Sequence, residues 1–218
     1  MIITRQKPFQ EILKNVEGKK KIFLIGCALC ATTCKTGGID QLESFKCALV
    51  EEGKDVVGLA VPDPTCNLLE IKRLYREKKN EINFSDVIIS LSCGGGAQAI
   101  SEIITDIEIV SGNDTLFQGE ITKIAPKESR FDQKCSLCGE CILTSTGAVC
   151  PVTRCPKGLL NGPCGGVKNG KCETDNELDC VWLKIYDRLK KFDRVNEMKE
   201  IKLPKDHSKN KFPQSLIF

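Results

Sequence analysis

Residues 135–180 hold eight cysteines, many glycines and prolines, and few large apolar side chains. Such a segment cannot bury enough apolar surface to fold by itself, so metal is expected to organise it. The whole chain of 218 residues carries 14 cysteines. That is sparser than a small secreted disulfide scaffold and far denser than an ordinary cytosolic domain. The apolar run Ile22 to Ala31 is too short to span a bilayer and has no signal-peptide n-region before it. The expectation is therefore no export signal, no membrane span and a cytoplasmic location, where thiols stay reduced. Clustered thiols in that setting read as metal ligands. With 32 basic against 29 acidic side chains, the net charge of +3 is too even to suggest a nucleic-acid partner.

Residues 1–130 alternate helix and strand patterns. Phe9, Ile12, Leu13 and Val16 stand at helical spacing within Arg5 to Val16, with Gly18 as a stop. Lys21 to Gly26 is a continuous apolar run, as in a strand buried on both faces. Ile39, Leu42, Phe45 and Leu49 mark a helix ended by Gly53. Val56 to Val61 and Asp86 to Leu91 read as further strands. Leu68 to Ile82, and the stretch after Gly94-Gly95-Gly96 through Ile104, read as helices. The pattern predicts an α/β domain, Rossmann-like or flavodoxin-like, with a small, mostly parallel sheet in a three-layer arrangement. From Glu108 to Ala125 the short pieces broken by Gly112-Asn113-Asp114 and Gly119 read as a hairpin. Residues 131–218 are expected to form a cysteine-rich metal or iron–sulfur domain. Its C-terminal helix, Leu178 to Phe192, would pack Trp182, Ile185, Leu189 and Phe192 onto it. The polar tail from Leu203, ending Leu216-Ile217-Phe218, reads equally as a docking segment or a free end.

Cys27, Cys30 and Cys34 follow the first strand of this pattern, Cys66 the second and Cys93 the third. In an open parallel sheet those strand ends share one edge, where ligands bind. A metal centre held by four of these five is expected. The competing reading, small buried hydrophobes, is adopted for Cys47, placed on the apolar side of its helix. Gly94-Gly95-Gly96 precedes a helix but lacks the Lys-Ser/Thr of a P-loop and the spacing of a dinucleotide fingerprint. Gly94 and Gly95 instead read as letting backbone amides approach cluster sulfurs.

The second region carries Cys135-x2-Cys138-x2-Cys141 and then Cys150-Pro151, close to the bacterial ferredoxin run. Cys155-Pro156, Cys164, Cys172 and Cys180 complete eight thiols, enough for two four-ligand sites. One centre would combine Cys135, Cys138 and Cys141 with a Cys-Pro cysteine, Cys150 or Cys155; Cys164, Cys172 and Cys180 would serve the other. At least one [4Fe–4S] cluster is expected here, with zinc the competing metal.

Cys138-Gly139-Glu140-Cys141, Cys155-Pro156-Lys157-Gly158-Leu159, Asn161-Gly162-Pro163-Cys164-Gly165-Gly166, Gly170-Lys171-Cys172-Glu173 and Cys180-Val181-Trp182 resemble the methylenetetrahydrofolate reductase C-terminal family. Cys27 to Cys34 looks like the N-terminal half of the V (MetV-type) subunit of acetogenic reductases. The resemblance adds Gly165 and Gly166 as candidate cofactor contacts. It implies an iron–sulfur subunit, with zinc also associated with the type. The expected partner is a flavin-containing F subunit, a TIM barrel holding FMN and folate, and the expected donor is ferredoxin or another subunit. Electrons would reach FMN and reduce methylene- to methyl-tetrahydrofolate in the one-carbon branch of the acetyl-CoA (Wood–Ljungdahl) pathway. The residues support a non-catalytic role, because no nucleophile–base pair stands out and the only histidine, His207, lies in a charged tail. Two other readings compete: a zinc-stabilised assembly module without electron transfer, and a relay subunit of another redox complex, heterodisulfide-reductase-type or hydrogenase-linked.

Overall fold

A computed structural model describes residues 1–125 and 128–217 of the chain; Phe218, the end of the tail, lies outside them. The chain divides into two compact units, Met1–Phe131 and Asp132–Phe218.

The first unit is an α/β fold around a four-stranded parallel sheet. In chain order its elements are β1 (Ile2–Gln6), α1 (Phe9–Asn15), β2 (Lys21–Ile25), α2 (Cys30–Thr33), α3 (Ile39–Glu51), β3 (Asp55–Ala60), α4 (Leu68–Glu77), α5 (Lys79–Asn83), β4 (Val87–Ser90), α6 (Gly94–Ile103), β5 (Glu108–Ser111), β6 (Asn113–Gln118), β7 (Glu120–Ala125) and β8 (Glu128–Asp132). The sheet order is β3-β2-β4-β5, all parallel. Strand direction of growth therefore reverses at β2, the arrangement of a flavodoxin-like sheet. Successive side chains alternate faces. Ile22, Leu24, Val87 and Ile89 meet Ile12 and Val16 of the α1 segment and Leu42, Phe45 and Leu49 of α3. Phe23, Ile25 and Ile88 meet Ile71, Leu74, Ile82 and Ile100 on the opposite face. Helices thus cover both faces, in three layers.

Several expectations need correction. Arg5 and Gln6 belong to β1 rather than to a helix, because Lys7 precedes Pro8 and a residue before proline favours extended backbone. Glu108–Ser111 is not one arm of a hairpin but the fourth parallel strand, with Val110 in one core and Ile109 packed on the other. β6 then pairs antiparallel with β1, and the hairpin partners are β7 and β8. The stretch Leu68 to Ile82 breaks at Lys78, yet Ile71, Leu74 and Ile82 still line one core. Cys47 is exposed, not buried. Two residues past Phe45 is most of a half-turn away from the stripe Leu42, Phe45 and Leu49, so its thiol faces outward.

The second unit holds a 3-10 turn (Leu143–Thr146), α7 (Pro151–Arg154), β9 (Lys171–Cys172), β10 (Asp175–Asp179) and α8 (Val181–Lys191), followed by 3-10 turns at Val195–Lys199 and His207–Asn210. Val149, Val181, Trp182, Ile185 and Leu189 form a small buried core. Its α8 stripe is the expected one, except that Phe192 is exposed. Among the described residues, no helix is long and apolar enough to cross a membrane.

The α3 assignment is tested by a pair of variants. Phe45→Ala should lower unfolding stability by about 3 kcal/mol or more, whereas Cys47→Ser should change it by less than ~0.5 kcal/mol. Denaturant titration of both variants decides it, and a large cost at Cys47 would put that residue back in the core.

Candidate metal centres

In the first unit the thiols gather where the chain leaves the paired strands β2 and β4 toward opposite sides of the sheet. Cys27 follows β2, Cys66 follows β3, and Cys93 is the N-cap of α6 directly after β4. Gly26 and Gly37 shape the first of these loops. A Cβ on Gly26 would meet the Gly37 carbonyl, and one on Gly37 would meet the Leu91 carbonyl. Only glycine lets the backbones pass this closely. The Cys27 amide then donates to Gly37 O at 2.9 Å.

Cys93, Cys27 and Cys30 all stand close enough to Cys66 to act on its charge. Burial first, and then these neighbouring thiols, push the Cys66 thiol up from its ordinary value. Cys34 is not in this set; its thiol donates to Ile2 O at 3.8 Å, while Ile2 N donates to Cys30 Sγ at 3.4 Å. The β1–β6 ribbon therefore rests on the α2 turn. It is also tied to the other side of the crevice, where Gly94 N donates to Thr115 Oγ1 at 2.8 Å. The Gly94 amide is thus directed to Thr115. Gly95 lies beside Cys66 and Cys93, with a Cβ placed there 3.9 Å from each.

The second unit divides its eight cysteines between two cavities. Cys135, Cys138, Cys141 and Cys150 line a cavity of about 320 Å³, together with Leu137, Ile142, Leu143, Val152 and Lys205. Cys155, Cys164, Cys172 and Cys180 line another of about 20 Å³, together with Glu173, Asp179 and Trp182. The chain backbone explains the first arrangement. Leu137 and Gly139 take left-handed φ of 56° and 74°, one in each two-residue spacer. Left-handed backbone is costly for leucine, and here it turns the chain so that Leu137 N donates to Cys135 Sγ at 3.4 Å. In the second cavity, Cys180 is the N-cap of α8. Cys155 and Cys180 also pack against the small apolar core.

The donor sets and sizes fit metals of different bulk. Four thiols around a roomy, largely apolar cavity suit a polynuclear cluster. A cavity with room for about one water-sized occupant suits a single ion held by four sulfurs. Among the described residues, no three ligating side chains are already drawn together tightly enough to hold an ion. Loading any of these sites calls for side-chain movement.

A strap formed by the tail holds the loops, and Lys205 is a residue that the cysteine spacing did not point to. Asn161 exchanges two hydrogen bonds with the Lys202 backbone, at 2.9 and 2.7 Å. Glu140 accepts from Asp206 N at 3.0 Å and from Lys209 Nζ at 3.4 Å, and its carbonyl accepts from Lys205 Nζ. The Glu140 backbone hydrogen bond and then the Lys205 charge hold the Cys138 thiol below its ordinary value. Thr174 does the same for Cys172 through its hydroxyl. Glu173 accepts from the Cys164 thiol at 3.3 Å, pairs with Lys157, and lies against Gly166, where a Cβ would collide with it. Gly165 is open, at a left-handed φ of 80°. His207 is exposed, in the last described turn.

Residues 110–208 match the family described as methylene-tetrahydrofolate reductase C terminal. This segment is similar to that family. The match covers a little under half of the chain, taking in the end of the first unit and all eight cysteines of the second. No curated protein matches. A solved structure, an ABC transporter substrate-binding protein from Desulfitobacterium hafniense, is 14% identical with a TM-score of 0.34, covering 49% of this chain and 32% of that one. The chain therefore spans about a third of that protein's length, and so distant a likeness carries no argument.

Acidity and exposure make opposite predictions for two thiols. Cys66 is more exposed than Cys172, but its pKa is raised and that of Cys172 is lowered. The thiolate is the reactive form. In the reduced, metal-free chain near neutral pH, iodoacetamide should therefore label Cys172 before Cys66, as read by peptide mass spectrometry. The reverse order would show that exposure decides.

Proposed function

We propose that this chain is an electron-transfer subunit that works with a methylenetetrahydrofolate reductase catalytic subunit. The observation that carries the reading is the cavity lined by Cys135, Cys138, Cys141 and Cys150 within the family segment. Those four residues would hold a [4Fe–4S] cluster, and a cluster there supplies one-electron transfer. Cys155, Cys164, Cys172 and Cys180 would hold a single zinc ion, a reading supported by the small volume of their cavity. Four of the five strand-end cysteines, Cys27, Cys30, Cys66 and Cys93, would hold a further cluster at the sheet edge, with Cys34 as the spare.

The chain's own side chains would position and tune these centres. Leu137, Ile142, Leu143 and Val152 give the larger cavity an apolar wall. Lys205 adds a positive charge beside Cys138. No residue of the chain is assigned folate chemistry. FMN and the folate site would belong to the partner, a flavin-binding barrel, with ferredoxin or another subunit as electron source. The family match is consistent with that partnership.

Anaerobic purification tests the assignment. The protein should be brown, with iron and sulfide in equal amounts and in multiples of four per chain, together with one zinc. Cys138→Ser should remove one cluster's worth of iron and its electron paramagnetic resonance signal while keeping the zinc. A colourless protein with zinc alone would leave only the assembly-module reading standing.

A further inference from the structure

Trp182 is the second residue of α8 and lies in the wall of the smaller cavity. It is 4% exposed, and its indole Nε1–H is buried with no acceptor among the described residues. A buried N–H without a partner is expensive, and the indole nitrogen can only donate. The side-chain acceptors that share this wall are two carboxylates and four sulfurs. Both carboxylates are already engaged. Glu173 takes the Cys164 thiol and Lys157. Asp179 takes Lys171 at 2.9 Å and Lys184 at 3.4 Å. The sulfurs are left. A thiol is a poor acceptor and a thiolate a strong one, and metal binding is what turns these cysteines into thiolates.

We propose that the Trp182 N–H donates to a metal-bound thiolate in the cavity of Cys155, Cys164, Cys172 and Cys180, and so acts as a positioning residue of that site. This rests on the reading of the cavity as a single-ion site. As each sulfur binds the ion, its thiol proton leaves to solvent and no electron moves. The orphaned donor then gains its acceptor, so loading the site relieves a cost carried by the empty fold. Groups that orient the ligands of a metal in this way contribute about tenfold or more to its retention.

The experiment uses the full chain, reduced and metal-free, titrated with Zn²⁺ or Co²⁺. Trp182 is the only tryptophan, so its emission reports this cavity alone. Emission should change as the ion binds, and Cys164→Ser should abolish that change. Trp182 is then replaced by benzothienylalanine, which keeps the ring shape and puts sulfur in place of the N–H. This variant should bind the same number of ions, release Zn²⁺ to a chelator about tenfold faster, and show a displaced thiolate-to-cobalt charge-transfer band. Trp182→Phe should behave like the isostere. Wild-type release with an unmoved band in the isostere would overturn the role of Trp182 and leave the metal site standing. Absence of any Cys164-dependent cobalt–thiolate band in the wild type would overturn both.

Discussion

A parallel strand cannot be reached by a tight turn, so each of β2, β3 and β4 must be followed by a crossover before the next strand begins. All three crossovers start from the same edge of the sheet. Because β2 lies between β3 and β4, the chain leaves β2 toward one side and β4 toward the other. The resulting crevice is unoccupied by backbone, and this opening is where sheet proteins bind ligands. Cys27 and Cys93 sit on its two lips, with Cys66 at the end of the neighbouring strand. The apolar cores on both faces hold β2 and β4 in place. Their rigidity is what brings residues 66 positions apart in sequence near one another.

The second unit solves the same problem with little sheet. Among the described residues its buried apolar cluster is five side chains, mostly from α8. The loops around it are held by polar contacts and by left-handed turns. Asn161 and Glu140, one in each cysteine loop, are the anchor points, and residues 202–209 tie them together. Such a unit has little apolar surface to lose, so a metal that joins four loop cysteines would contribute directly to its folding free energy.

Legibility in the sequence followed from where the physical signal was local. The buried strands were readable because runs such as Ile22-Phe23-Leu24-Ile25 are apolar on both faces. The convergence of Cys27, Cys66 and Cys93 was readable because parallel topology alone predicts it. Cys47 lies within the apolar helix segment by sequence, yet the buried stripe Leu42, Phe45 and Leu49 is narrow and leaves it on the far side. β1 is not legible because it pairs across more than 100 residues with β6, and β5 is not because four residues followed at once by Gly112 and β6 read locally as a hairpin arm. The division of the last cysteines was only half legible. Spacing grouped Cys135, Cys138 and Cys141, but it could not choose between Cys150 and Cys155, which α7 separates by one turn and sends to different cavities. Lys205 gave no signal at all, since a lysine in a basic tail has no spacing relation to Cys138.

The charges and volumes of the two cavities bear on which centre would accept an electron. Four thiolates around a divalent ion, or around a cluster core of the same charge, leave two negative charges, and reduction of a cluster adds another. The larger cavity offers Lys134 and Lys205 against Glu140, whose carboxylate is itself bonded by Lys209 and the Asp206 amide. Added negative charge is offset there. The smaller cavity presents Glu173 and Asp179 against Lys157, and both carboxylates are already held in ion pairs. Lys157, Lys171 and Lys184 match those two carboxylates, so charge does not set this cavity apart, and its volume of about 20 Å³, against about 320 Å³, is what favours a single ion over a cluster. On the proposed reading, redox chemistry therefore belongs with Cys135, Cys138, Cys141 and Cys150. A redox-inert ion suits the cavity of Cys155, Cys164, Cys172 and Cys180, where the gain is in folding and in the alignment of α8.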